Sequence, residues 1–347
     1  MHDGQRTRQR RWFDFVAFRR DVRAALVDAT AALIVTLVVF VWLHWRIETG
    51  SSMTLQVMPM LADADTYWMY WMCEAFGWSG LLWAWITVML GLIRSSRRLG
   101  WLPVSVARIE KWHRTTSLTT IALMFAHAFW LFAEFVRANE DQRGWGGRTW
   151  SAFVDTFVPG AYASGTGRVA ILIGLLAFYL AIPLGLAFYA RRSIGVRTWR
   201  VLHASILVVY VLSVWHTLLY GTNVWYDGWF RTTVWLLQLP VAALLLARLL
   251  APARRPGRRG LDLLGRAVGR ACAAASIVMV LAVAASGRDG GRTPGVDGAG
   301  LSATRTMVWI GLGVFIAAVV VCAYRAHRLT PTRQARAEGE EDDTSPS

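Results

Sequence analysis

Apolar residues along this chain come in long runs, separated by short polar stretches rich in arginine. A bilayer-crossing helix needs about 20 mostly apolar residues. Eight stretches come near that length: Ala24–His44, Met69–Ile93, Thr115–Val136, Val169–Tyr189, Val201–Tyr220, Thr233–Leu250, Ala267–Ala285 and Met307–Ala323. None shows the two-residue alternation of a barrel strand, and lipid offers no partner to an unpaired backbone group, so these are read as helices. The pattern predicts an all-α polytopic membrane protein with a basic arm over residues 1–23 and a six-helix bundle over 24–250. Two additional C-terminal transmembrane helices are expected within 251–325. The polar, acidic tail 326–347 has too little apolar surface to fold and is expected to be disordered.

Composition agrees with a lipid environment. Of 347 residues, 55% are hydrophobic, more apolar surface than a soluble fold can bury. The net charge of +15 is almost wholly arginine, with Lys111 the one lysine among 37 basic residues. That bias points to a GC-rich coding genome and a bacterial source. Basic proteins often bind nucleic acid, but here the arginines sit in clusters between apolar runs, which is the signature of membrane topology. No nucleic-acid partner is expected. With the N-terminus in the cytoplasm and eight alternating spans, 28 of the 37 basic residues fall on the cytoplasmic side. The expected location is the cell membrane, multi-pass, with both termini cytoplasmic. Arg10–Arg11 before an apolar run faintly resembles a twin-arginine signal, but no cleavage site follows cleanly, so the run is read as a retained first helix.

Cys73, Cys272 and Cys322 are scattered through apolar runs without a CxxC pair, which gives no support to a zinc ribbon or iron–sulfur cluster. The glycine-rich stretch Gly287–Gly300 lacks the strand that precedes a phosphate loop and is read as a connection between the last two spans.

Histidines carry the chemistry. His2, His44 and His327 lie at or beyond the ends of spans, whereas His113 and His127 mark the third span and His203 and His216 the fifth. The separations of 14 and 13 residues correspond to about 21 and 20 Å along a helix. Both spans run outward from the cytoplasm. His113 and His203 therefore share the inner level, and His127 and His216 the outer one. Polar groups inside a membrane are costly and mark function. A paired imidazole site without a nearby carboxylate or thiolate suits a haem iron, whereas zinc asks for three or four ligands. Fourteen residues return to within about 40° of the same helical face, but thirteen miss by about 140°, which would need a bend, a π-bulge or ligation from opposite flanks. Histidines that serve only helix–helix hydrogen bonds remain the other reading of the spacing.

The segments KWHR…H and WRVLH…H, with Trp199–Arg200, Leu202–His203 and the basic loop Arg191–Arg200, resemble the ferric reductase-like transmembrane domain, over roughly residues 24–250. That superfamily takes in ferric reductases, the membrane part of NADPH oxidases and a bacterial methionine-sulfoxide reductase haem subunit. The resemblance implies two haem b groups, on His113 with His203 and on His127 with His216. It implies a metal-binding oxidoreductase subunit that carries electrons from the cytoplasmic side to an outer acceptor such as ferric iron. A flavin and nicotinamide domain does not follow the sixth span. A separate flavoprotein, a weakly bound flavin or membrane quinol would then serve as electron donor.

Haem propionates need cations near the membrane faces. Arg114, Arg197 and Arg200 are the inner candidates, each with membrane topology as its alternative role, and Arg137, Arg168 and Arg231 are the outer ones. Tyr210 lies between the two levels, either between the haems or as packing. Trp42, Trp45, Trp68, Trp71, Trp145, Trp150, Trp225 and Trp229 are expected to form an interfacial belt on the outer side. The long outer loop Arg137–Arg168 could shape an acceptor site. Two competing functions stay open: a non-redox transporter or assembly scaffold with structural histidines, and an anchor for a partner enzyme. Against the transporter stands the expectation that the notable acids, Asp28 and Glu134, lie near span ends rather than inside.

Overall fold

The computed structural model describes residues 12–96, 104–162, 167–224 and 229–250. Its regular elements, among the described residues, are all helical. In chain order they are α1 Phe15–Glu48, α2 Thr54–Val57, α3 Trp68–Ser96, α4 Val106–Ala138, α5 Trp145–Phe157, α6 Gly167–Leu186, α7 Arg191–Ile194, α8 Val196–Tyr220, α9 Trp229–Leu236 and α10 Gln238–Leu250. Six spans, namely α1, α3, α4, α6, α8 and the run Trp229–Leu246 through α9 and α10, are long and apolar enough to cross a membrane. The chain is a multi-pass membrane protein. The expected seventh and eighth spans, the tail, Cys272, Cys322, Arg10–Arg11 and Gly287–Gly300 lie outside the described residues.

The helices reach beyond the apolar runs. α1 starts nine residues before Ala24, because Asp14 caps it by accepting from the Ala17 N–H at 3.0 Å. α4 starts at Val106, capped by Ser105, which accepts from the Arg108 N–H at 3.3 Å. It stops at Asn139, whose φ of 42° is left-handed and turns the chain out of the helix. The sixth span is interrupted at Leu237, because Pro240 has no N–H to bond back to Leu236.

Each span buries a different amount of itself. α1 buries one stripe, Asp21, Ala25, Ala32, Thr36, Leu43 and Ile47, while Leu26, Val27, Ile34, Val38 and Val41 face outward, as lipid requires. α6 is the most buried of the six spans, from Ala170 through Leu184. α4 buries Ile109, His113, Thr116, Thr120 and Leu123 at alternating intervals of four and three, so its seam repeats every seven residues. Its hydroxyls are satisfied within the helix: Thr119 and Thr120 donate to the carbonyls of Thr115 and Thr116 at 3.1 and 2.8 Å.

Packing divides the bundle into two hairpins. α3 lies along α4, with α1 against both, and α6 lies along α8. Among the described residues α4 and α8 have almost no close backbone approach. At the inner end a charge cluster ties α1 to α4. Buried Asp21 lies 3.3 Å from Arg114 Nε, and it accepts from Tyr189 Oη at 3.2 Å and Arg20 Nε at 3.4 Å. Burial, and then the neighbouring Asp21 charge, push the Tyr189 hydroxyl well above the usual tyrosine range.

The tryptophan belt holds in part. Trp45, Trp145, Trp150 and Trp229 are exposed, as an interfacial role requires. Trp71 departs from the expectation, being fully buried against Ile47, Leu61 and Ala64. It anchors the outer loop to the last turn of α1, so its indole serves packing rather than the interface. Trp225 lies outside the described residues.

Candidate functional site

The four histidines meet as two pairs across the gap between α4 and α8. His113 faces His203 with ring centroids 5.7 Å apart and planes at 86°. His127 faces His216 at 6.0 Å and 73°. An Nε2–metal bond of about 2 Å on each side would set opposed imidazole centroids about 6 Å apart. Both pairs therefore have the spacing that one metal-centred group between them requires.

The orientation of three rings follows from their hydrogen bonds. His113 Nδ1 donates to the Thr87 carbonyl at 2.9 Å, His127 Nδ1 to Cys73 at 2.8 Å and His216 Nδ1 to Ala170 at 2.7 Å. A carbonyl can only accept, so Nδ1 carries the proton and Nε2 keeps its lone pair for a ligand. Such an outer bond is the usual way a ligating histidine is oriented. His203 stacks on Trp199, centroids 5.5 Å apart and 23° between planes.

The spacing on α8 needs no kink. α8 is continuous from Val196 to Tyr220, so its two histidines leave on different flanks and each still meets its partner. On α4 the 14-residue separation is two repeats of the buried seam.

The outer pair opens on an internal cavity, also lined by Tyr70, Glu74, Phe76, Leu131 and Phe178. Glu74 was not among the residues expected inside a span, and it corrects the expectation that acids keep to span ends. It sits two turns into α3, where its Oε1 accepts from Asn223 Nδ2 at 2.5 Å and Trp78 Nε1 at 3.4 Å. Among the described residues its buried Oε2 finds no donor, and the buried Thr156 hydroxyl on the cavity wall finds no partner. The signal for Glu74 was one acid in an apolar run, four residues before Trp78. Thr156 comes from α5, so the outer loop Arg137–Arg168 does contribute a wall, through an amphipathic helix that sequence reading treated as a connection. Cys73, a free buried thiol, lies 3.4 Å from His127 Nδ1.

The candidate cations have varied surroundings. Arg114 is held by Glu110 at 3.1 Å as well as by Asp21. Arg137 is bound to Glu134 and lies over the Tyr67 ring at 5.2 Å. Arg197 and Arg200 are exposed on the first turns of α8, one and two turns before His203. Arg231 is buried in α9, and Arg168 lies in the first turn of α6. Of the two roles open to Tyr210, packing is the one its contacts support. Its hydroxyl donates to Gln238 Oε1 at 2.7 Å, packing α8 against α10. Asp28 accepts from Trp83 Nε1 at 3.1 Å.

Comparison with curated proteins and with solved structures finds no match. A family comparison does: residues 76–214 match the model described as ferric reductase like transmembrane component. The match takes in His113, His127 and His203 and stops two residues before His216. It covers most of the two hairpins that bring the histidines together, and over this stretch the chain is similar to ferric reductase like transmembrane components.

Proposed function

We propose that the chain is the haem-bearing membrane subunit of a ferric reductase-like oxidoreductase. It carries electrons through two bis-histidine b-type haems from the cytoplasmic side to an acceptor outside. His113 and His203 hold the inner haem and His127 and His216 the outer one. The observation that carries this reading is the double pairing of imidazoles at 5.7 and 6.0 Å across two helices that otherwise stay apart. A haem with both axial positions filled passes electrons one at a time and leaves no open site for oxygen. The protein's part is to fix the imidazoles, keep water from the irons and hold the two levels in line.

Arg197 and Arg200, on the first turns of α8, and Arg114 on α4 meet the inner propionates, a role supported by their place at the level of His113 and His203. Electrons come from a separate flavoprotein, a flavin or membrane quinol. The arginine clusters support a cell-membrane location with both termini cytoplasmic, and the near absence of lysine supports a bacterial source. The test is a reduced-minus-oxidised absorbance spectrum with a pyridine haemochrome assay on the purified chain. Two low-spin b-type haems per polypeptide are expected. A colourless protein from haem-replete cells would overturn the reading.

A further inference from the structure

Three of the four histidine rings rest on the same backbone arrangement. His127 donates to the carbonyl of Cys73, His113 to Thr87 and His216 to Ala170. Four residues after each of these carbonyls stands a glycine: Gly77, Gly91 and Gly174. In a helix, residue i+4 lies directly above residue i, and its Cβ tilts back toward the helix N-terminus. A side chain at i+4 therefore covers the carbonyl of residue i against approach from a neighbouring helix. Glycine leaves that carbonyl open, and its second lone pair can take the imidazole N–H while the first keeps the backbone bond.

The distances bear this out. A Cβ built on Gly77 would lie 3.0 Å from His127 Nδ1, and one on Gly91 would lie 3.0 Å from His113 Cε1. On Gly174 it would meet three atoms of the His216 ring at 2.7, 2.8 and 3.0 Å. None of the three glycines has a positive φ, so conformational freedom is not the reason for them. They serve close approach.

We infer that Gly77, Gly91 and Gly174 are positioning residues, each forming with the carbonyl four residues earlier a seat that fixes the tautomer and pitch of one ligating imidazole. The inference rests on the haem reading, and it adds α3 and α6 to the site as the helices that orient what α4 and α8 supply. A methyl group in a seat pushes the ring off its carbonyl. The Nε2 lone pair then no longer points along the line between paired rings.

The experiment substitutes alanine in each seat of the full chain. Gly185→Ala serves as control. It lies on α6 with Gly174, and its Cβ would be as crowded, 2.8 Å from Ile121 Cδ1, but against the end of a flexible side chain rather than an imidazole. Haem content, ferric low-spin electron paramagnetic resonance and midpoint potentials are read for each variant. Gly174→Ala is expected to fall from two haems per chain toward one, losing the outer signal. Gly77→Ala and Gly91→Ala should shift the outer and inner signals respectively, with Gly185→Ala unchanged. Both haems retained with parental g values and potentials in all three seat variants would overturn the inference, as would equal loss in Gly174→Ala and Gly185→Ala. A parent chain without haem would instead refute the preceding function. The seats would then be tested by imidazole ¹⁵N shifts, which must show loss of the Nδ1–H form of His216 in Gly174→Ala.

Discussion

Asp21→Asn probes how the inner end of the bundle is held. Asp21 is 5% exposed and gathers Arg114, Tyr189 and Arg20, so one carboxylate joins α1, α4 and the segment after α6. Removing one partner of a fully buried ion pair costs about 3–5 kcal/mol. Two features reduce that here. The Arg114 contact is close in distance without being an aligned hydrogen bond, and Arg114 keeps Glu110 at 3.1 Å. The amide also retains one oxygen to accept from Tyr189. What remains is the loss of charge on a buried acceptor, about 2 kcal/mol, or roughly 30-fold in the folded-to-unfolded ratio. Equilibrium unfolding of the detergent-solubilised chain, followed by tryptophan fluorescence, reads this directly. Tyr189→Phe should cost about 1 kcal/mol, and the double variant less than the sum, because both act on one carboxylate. An Asp21→Asn variant within about 0.5 kcal/mol of the parent would refute the claim that the cluster ties the helices.

Other consequences can be checked alongside. The ring planes of each pair stand at 86° and 73°, and if each pair holds a haem as proposed, near-perpendicular imidazoles would give a highly anisotropic low-spin ferric signal. A rhombic spectrum of the kind produced by parallel imidazoles would contradict the ring geometry. The outer turn after the short 3-10 helix Pro59–Leu61 responds to acid. Asp63 is held below its ordinary value by the Thr66 hydroxyl and then by the Thr66 N–H. A depressed carboxylate stabilises its turn fully above the ordinary aspartate value of about 3.9 and loses that contribution as pH falls through the lower folded value. Hydrogen exchange at the Thr66 amide should therefore speed up relative to neighbouring amides in strong acid, and Asp63→Asn should remove the difference.

Much of this arrangement was legible in the sequence, for reasons that differ by element. The six described spans follow from apolar length alone, since lipid exposure demands apolar residues over most of each helix. Helix ends were not legible, because Asp14 and Ser105 start their helices with caps in polar stretches that an apolar count passes over. α5 was missed because amphipathic thirteen-residue helices fall below the spanning length, and Gly146 and Gly147 within it look like turn residues. The histidine pairs were legible as equal depths on parallel spans. Their flanks were not, because a 13-residue offset fixes an angle on α8 but not which neighbour lies on each side. Glu74 was overlooked because a single acid does not break an apolar run. The seats were invisible until partner helices were known, since Gly77, Gly91 and Gly174 gain meaning only through the rings beside them.

Gly77 and Gly91 stand on one helix, fourteen residues apart, facing His127 and His113 at the same interval on its antiparallel neighbour. The distance between the two histidine levels is thus ruled off by two helices and owes nothing to loop length, bilayer thickness or the sixth span. Electron tunnelling decays exponentially with distance, so in the function proposed above this arrangement would insulate the internal transfer rate from whatever the chain does at its surfaces. Donor and acceptor docking can change while the interval between the two levels stays constant.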